Sequence, residues 1–290
     1  MDKLKLKAYA KLNLFLDITD RYDNGYHALK TVMQSISLYD ELEFTTSEGS
    51  GTEIISNRSD LPLDDNNLVS KGIRKTLEYV NFKPDCKINV RLNKNIPSEA
   101  GMGGGSADCA TSIVAADQLF HLGLTSDEMR TIGEKCGADV PFCIDGGTAL
   151  CEGIGEKITT LKPLSELYFV VVKPDVSIST PAAYTSFDEK GAYGKGCYID
   201  HKNALAKIDL PALGKSLYNA FSEVCQIDEV TEAKKALIHC GAYGAEMTGS
   251  GSAVFGIFDS KSAAENALRE IDLPFGGVFT PTRCGIEILK

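Results

Sequence analysis

Residues 97–108 run Pro97-Ser98-Glu99-Ala100-Gly101-Met102-Gly103-Gly104-Gly105-Ser106-Ala107-Asp108. Upstream, Cys86 to Leu92 alternates with the period of a strand; downstream, Ala110, Ile113, Val114, Leu119 and Phe120 recur at roughly helical spacing. The order is strand, glycine loop, helix. Small residues there let the backbone approach a ligand, and free N–H groups at the helix start, backed by the helix dipole, attract an anion. The loop fits none of the common phosphate loops. No lysine follows Gly105, so G-x-x-x-x-G-K-[ST] fails, and Ser106 stands where a dinucleotide fold has its third glycine. The H-R-D and D-F-G of protein kinases are absent. On glycine content alone, a phosphate cradle and a plain tight strand-to-helix turn remain equally open.

The surroundings add weight to the cradle. Of the 27 glycines in the 290-residue chain, 11 lie within residues 101–155, where a uniform spread would place about five. Leu4 to Ile18 alternates as a half-buried strand with Lys11 and Asn13 on one side. Asp139 stands in Gly137-Ala138-Asp139-Val140-Pro141, and Met247-Thr248-Gly249-Ser250-Gly251-Ser252 forms a second, smaller glycine loop. Each has a plainer use: Lys11 as a solvated lysine, Asp139 as the cap of a helix with Pro141 in its first turn, the late loop as a strand connection.

Around these features the pattern predicts an Asp23-Asn24-Gly25 turn, strand material through Phe44, and a surface excursion over residues 47–66. A helix opens at Asn67, and a second carries a capping box, Thr125 with Glu128, and stops at Gly137. After Gly155 come a buried strand at Leu167 to Val172, a helix start at Thr180-Pro181, and an amphipathic helix marked by Leu213, Leu217, Phe221 and Val224. Val254 to Phe258 and Gly285 to Leu289 read as strands, with a helix over Ala263 to Ile271 between them. The texture changes near residue 155, which divides the chain into 1–155 and 156–290.

Composition removes other classes. Hydrophobic residues make up 43 % and charged residues 24 %, so disorder and fibrous folds do not fit. The longest strongly apolar run, Leu167 to Val172, is far short of a membrane span, and the lysines among the first eleven residues leave no apolar signal-peptide core. The expectation is a cytoplasmic protein, monomer or homodimer. Its formal charge of −10 repels nucleic acid and anionic membrane surfaces. Nine cysteines without a C-x-x-C pair, and with six and seven residues separating Cys136, Cys143 and Cys151, read as reduced, mostly buried thiols rather than a metal site.

Taken together, Ala10-Lys11-Leu12-Asn13-Leu14, Pro97 to Ala107, Gly137 to Pro141 and Thr248 to Ser252 resemble the GHMP kinases, in the same order and over nearly the whole chain. With Asp23-x-Gly25-Tyr26-His27 and Glu152-Gly153-Ile154-Gly155, the resemblance is closest to the branch acting on 4-diphosphocytidyl-2-C-methyl-D-erythritol in non-mevalonate isoprenoid biosynthesis. It implies an α+β fold of two domains, 1–155 binding ATP and 156–290 completing an interdomain cleft that holds the active site. It implies ATP and Mg²⁺, with the nucleotide on Pro97, Ala100, Gly101, Met102, Gly103, Gly104, Gly105, Ser106 and Ala107, and with Asn67 and Lys94 flanking the adenine. Asp139 is then the general base and Lys11 the cation beside it. The acceptor would meet Asn13, Tyr26, His27, Thr180, Tyr184, Gly249 and Ser250, with Tyr26 and Tyr184 offering rings to a cytosine and His27 its base edge. No dedicated protein metal site is expected.

The chain departs from the family pattern in two places. Ser106 is followed by Ala107 where the family often has a second serine, and Met102 replaces a more usual leucine. Residues 185–205 match nothing in that pattern. A mevalonate- or homoserine-type kinase, and a regulator that binds nucleotide without catalysis, are the alternatives; the joint presence of Lys11 and Asp139 opposes the latter.

Overall fold

A computed structural model describes residues 3–190 and 193–289. Its strands are β1 (Leu4–Arg21), β2 (His27–Ser47), β3 (Thr52–Ser56), β4 (Lys87–Asn93), β5 (Thr148–Gly153), β6 (Lys157–Thr160), β7 (Tyr168–Lys173), β8 (Tyr218–Asn219), β9 (Ala245–Met247), β10 (Val254–Phe258), β11 (Phe275–Phe279) and β12 (Ile286–Leu289). Its helices are α1 (Leu68–Tyr79), α2 (Gly104–Phe120), α3 (Ser126–Glu134), α4 (Val140–Asp145), α5 (Thr180–Lys190), α6 (Tyr198–Lys207), α7 (Leu210–Lys215), α8 (Ala220–Val224), α9 (Asp228–His239) and α10 (Lys261–Glu270).

The strands form two sheets. The larger follows the order β12-β1-β2-β4-β3, with β5 on β2, β6 on β5 and β8 on β1; the smaller is β11-β7-β10-β9. β6 and β12 lie beyond residue 155 in sequence yet pair into the larger sheet, so chain order and sheet membership do not coincide. α2 covers the larger sheet. Its residues 107–113 are buried all round, as a central helix requires, and Ala110 and Ile113 pack with Leu6, Met33, Val90 and Phe142. A second apolar layer joins Leu12, Leu14 and Phe15 of β1 to Phe169 and Phe255 of the smaller sheet.

Several predicted elements are found with their caps. Asn67 caps α1 by accepting from Val69 N, and α3 carries the complete Thr125–Glu128 capping box. Other expectations are corrected. β1 is not half-buried: Ala8 to Asp17 is buried on both faces. Met102 O accepts from Lys11 N, Thr248 Oγ1 from Asn13 N, and Asp17 accepts from Gly196 N. The face that alternation assigns to water is thus covered by three loops. The excursion at 47–66 contains β3, an edge strand parallel to β4 in which only Ile54 is fully buried, too short a signal to alternate. The glycine-rich stretch from Gly146 to Gly155 contains β5, which the pattern does not signal. The single amphipathic helix through Leu213 and Val224 is two short helices split by β8, because Asn219 leaves the helical course to pair beside Leu16 and to cap α8 through Phe221 N.

All nine cysteines are free thiols, four of them buried. No helix among the described residues is long and apolar enough to cross a membrane.

Candidate active site

Where the two sheets and their loops converge lies a cleft of about 1090 Å³. Its floor is the glycine loop and the first turn of α2. Gly101 has φ +70°, and a Cβ there would stand 1.9 Å from the carbonyl oxygen of Thr248, so the early and late glycine loops touch backbone to backbone. Gly103, at φ +68°, is the N-cap of α2, and its missing side chain leaves room for Lys11 and Asp139. The unpaired N–H groups of a 17-residue helix therefore open into the cleft beside a lysine.

Lys11 is 4 % exposed. Its Nζ donates to Asn13 Oδ1 at 2.6 Å and lies 3.4 Å from Asp139 Oδ2. Asn13 is held in turn, its amide donating to Thr31 Oγ1 at 2.8 Å, and Thr31 donating to Phe15 O at 2.7 Å. Asp139 occupies the N-cap position of α4, but its carboxylate makes no cap hydrogen bond. It is 31 % exposed and turned toward Lys11 and the open cleft. The capping use of this aspartate is thereby excluded. Burial, reinforced by the Asp139 charge, pushes Tyr184 up to about 12 and the neighbouring Cys151 thiol up to about 12.

At the other wall, Lys94 is enclosed by two carboxylates, donating to Asp108 Oδ2 at 2.6 Å and to Asp40. Asp40 also accepts from Asn95 N and Ile96 N. Burial raises the Asp108 carboxyl above the ordinary range and the Asp40 charge adds to this, against the opposing pull of Lys94. Asn67 lines the cleft with both ends of its amide engaged, donating to Pro62 O and accepting from Val69 N.

The far end is aromatic. Tyr26 is 59 % exposed. The His27 ring stacks on Tyr184 at 4.6 Å, and its Nε2 lies 2.7 Å from Asp188 Oδ1. Thr180 Oγ1 and Ser250 Oγ are 3.0 Å apart, and Gly249 O accepts from Asn219 Nδ2.

Residues 67–147 match the model of the GHMP kinases N terminal domain, and residues 202–275 that of the GHMP kinases C terminal domain. A Clostridium tetani protein named 4-diphosphocytidyl-2-C-methyl-D-erythritol kinase is 39 % identical over 95 % of this chain and 98 % of its own length. A Caldanaerobacter subterraneus subsp. tengcongensis protein of the same name is 38 % identical over 99 % of this chain and 100 % of its own. The chain belongs to this family of GHMP kinases. A crystal structure of 4-(cytidine 5'-diphospho)-2C-methyl-D-erythritol kinase superposes with a TM-score of 0.78 at 28 % identity, covering 95 % of this chain and 99 % of that one. A homoserine kinase from Cytophaga hutchinsonii superposes at 0.79 with 20 % identity, a likeness of fold alone.

For a GHMP kinase the cleft gathers nearly every residue singled out from sequence. Lys11, Asn13, Tyr26, His27, Asn67, Lys94, Pro97, Ala100 to Ser106, Asp139, Thr180, Tyr184, Gly249 and Ser250 all line it. Ala107 is the exception: it is fully buried and packs into the core beneath α2, because it faces the sheet one helical position past Ser106. A hydroxyl at 107 would point away from the cleft. Sequence reasoning missed Asp40, Asp108, Thr31 and Asp188, which hold the named residues in place. Only Asp188 left a signal, standing four residues after Tyr184 in a helix.

The residues suit a hard divalent cation sparingly. Among the described residues no cluster of three acidic, histidine or cysteine side chains could cage one. The Ser106 hydroxyl and the Asp139 carboxylate, both at the loop mouth, are oxygen donors of the kind that complete a magnesium shell made mostly of phosphate and water.

Proposed function

We propose that the cleft holds ATP and 4-diphosphocytidyl-2-C-methyl-D-erythritol together and that Lys11 and Asp139 carry the phosphoryl transfer between them. The enzyme is an ATP-dependent kinase, and its acceptor is the hydroxyl on carbon 2 of the methylerythritol. Residues 1–155 are assigned to ATP and 156–290 to completing the cleft. The triphosphate rests on the N–H groups of Gly103 to Ser106, with Asn67 and Lys94 toward the adenine. The free thiols suit a reducing cytoplasm.

The observation that carries this reading is the 3.4 Å approach of Lys11 Nζ to Asp139 Oδ2, made by a carboxylate that caps nothing. As the acceptor oxygen attacks the γ-phosphorus, its proton passes to Asp139, the new O–P bond forms, and the bond to ADP breaks. Lys11 faces the developing alkoxide and stands 3.4 Å from the carboxylate that takes the proton. Asn13 holds the ammonium in place so that no reorganisation is needed during transfer. Magnesium, held by Ser106 and Asp139 together with the phosphates, would supply charge neutralisation of the triphosphate.

The aromatic end favours the cytidine acceptor over mevalonate or homoserine. Tyr26 presents an open ring at the cleft, and a His27–Tyr184 stack stands beside it, surfaces that a nucleobase uses and a small hydroxy acid does not. Stacking on a base contributes about 1–3 kcal/mol. The test of the chemistry is Asp139→Asn, which should lower kcat by about 10²-fold or more while ATP binding, followed by titration, stays near that of the unaltered enzyme. A parallel loss of binding and rate would assign Asp139 to holding the loop instead.

A further inference from the structure

One carboxylate at the aromatic end takes no part in the transfer. Asp188 approaches His27 Nε2 with Oδ1 at 2.7 Å and Arg21 Nη1 with Oδ2 at 3.2 Å, and Tyr193 Oη lies 3.4 Å from Oδ1. Tyr184 and Asp188 are four residues apart on α5 and so share a face, which lets one helix hold the imidazole twice: Tyr184 stacks on its plane and Asp188 bonds its edge. Arg21 and His27 are register partners at the ends of β1 and β2. The same carboxylate therefore spans both ends of the turn that presents Tyr26. Arg21, Tyr26, His27, Tyr184 and Asp188 all line the cleft.

A carboxylate only accepts. Bonded to Nε2 it keeps a proton on that nitrogen, which leaves Nδ1 to serve as the acceptor of the ring. We propose that Asp188 is a positioning residue that fixes the ring and the tautomer of His27 and thereby selects a pyrimidine carrying an amino group over one carrying a carbonyl at the same edge. Cytosine has the amino group and uracil the carbonyl oxygen, which would face the lone pair of Nδ1 with no proton between them. The inference rests on the pyrimidine site proposed above and adds to it the residue that sets its selectivity.

The experiment compares the unaltered kinase with Asp188→Ala, using the cytidine-diphosphate acceptor and its uridine-diphosphate counterpart. Asp188 is partly exposed on a helix, so alanine opens no core cavity. The expected result is a KM for the cytidine acceptor about tenfold higher, kcat and the KM for ATP within twofold, and a preference for cytidine over uridine reduced by a similar factor. Equal losses for both nucleotides, or an equal rise in the KM for ATP, would overturn the proposal and leave Asp188 a structural residue. The chain has four histidines, so ¹⁵N spectra of the ring nitrogens give a readout independent of turnover. The His27 signals should show a fixed Nε2–H in the unaltered protein and a tautomer mixture in Asp188→Ala, and identical spectra would contradict the assignment. If the unaltered kinase turned over neither nucleotide, the acceptor assignment would fail, and the ¹⁵N comparison would decide the role of Asp188 by itself.

Discussion

Lys11 is a buried cation that would be costly without its partners, and the structure provides two, Asn13 Oδ1 and Asp139 Oδ2. Only the first is fully committed. Asp139 keeps part of its surface open, so the pair is poised toward a ligand rather than closed on itself. Lys11→Met preserves the aliphatic stem and removes the charge; kcat should fall about 10²- to 10³-fold with a small change in the KM for ATP, as steady-state ADP release would register. A second residue sets a limit on acid stability. His201 is fully buried, with Nε2 unpartnered and Nδ1 near Ser216, and burial pushes its pKa down to about 4. The folded-state value lies below the ordinary one, so the unfolded chain takes up the proton first, and stability is lost as the pH falls from about 6.5 toward 4. Between pH 7 and 4.5 this costs on the order of 2 kcal/mol. Urea unfolding of the native protein and of His201→Gln at the two pH values should show a smaller pH-dependent loss in the variant by about that amount.

At the scale of elements, the active site depends on two loops that touch. Gly101 and Thr248 are 147 residues apart in sequence, and a Cβ at 101 would need the space of the Thr248 carbonyl. Gly101→Ala should therefore separate the loops, lower thermal stability by several degrees and weaken ATP binding, with calorimetry and nucleotide titration as the measurements. A variant that kept its melting temperature and its affinity would show that the contact does not position the phosphates. These elements also show what the sequence made legible. Asn67, Thr125 with Glu128, and Thr180-Pro181 announce helix starts through local chemistry, and each is found where that chemistry places it, whereas α3 ends at Glu134 with Lys135 as its C-cap, short of the stop expected at Gly137. β3, β5 and β8 were not legible, because each is defined by pairing with a distant strand: Ile54 with Val90, Cys151 with Thr31, Asn219 with Leu16. The same distinction runs through the site. Lys11, Asp139 and the glycines stand in compact motifs, whereas Asp40, Asp108 and Thr31 act through contacts that only the folded chain brings about.

The molecule as a whole carries a formal charge of −10, and its substrates are a triphosphate and a diphosphate. The global field opposes both. Within the cleft, backbone N–H groups at the start of α2, Lys11 behind them and Arg21 are the groups that can oppose it. The two sheets meet at this point, β1 running from the edge pairing with β12 to the turn that carries Tyr26, so one strand connects the phosphate end to the base end. In the proposed reading that continuity lets one strand serve both the ATP and the acceptor nucleotide. The measurement that bears on it most directly is a coupled ADP-release assay on purified protein with ATP and, in separate reactions, 4-diphosphocytidyl-2-C-methyl-D-erythritol, mevalonate and homoserine. Turnover with the cytidine acceptor, at a kcat/KM at least about 10²-fold above the other two, is the predicted result. Comparable turnover with mevalonate or homoserine, or none with the cytidine acceptor, would contradict it.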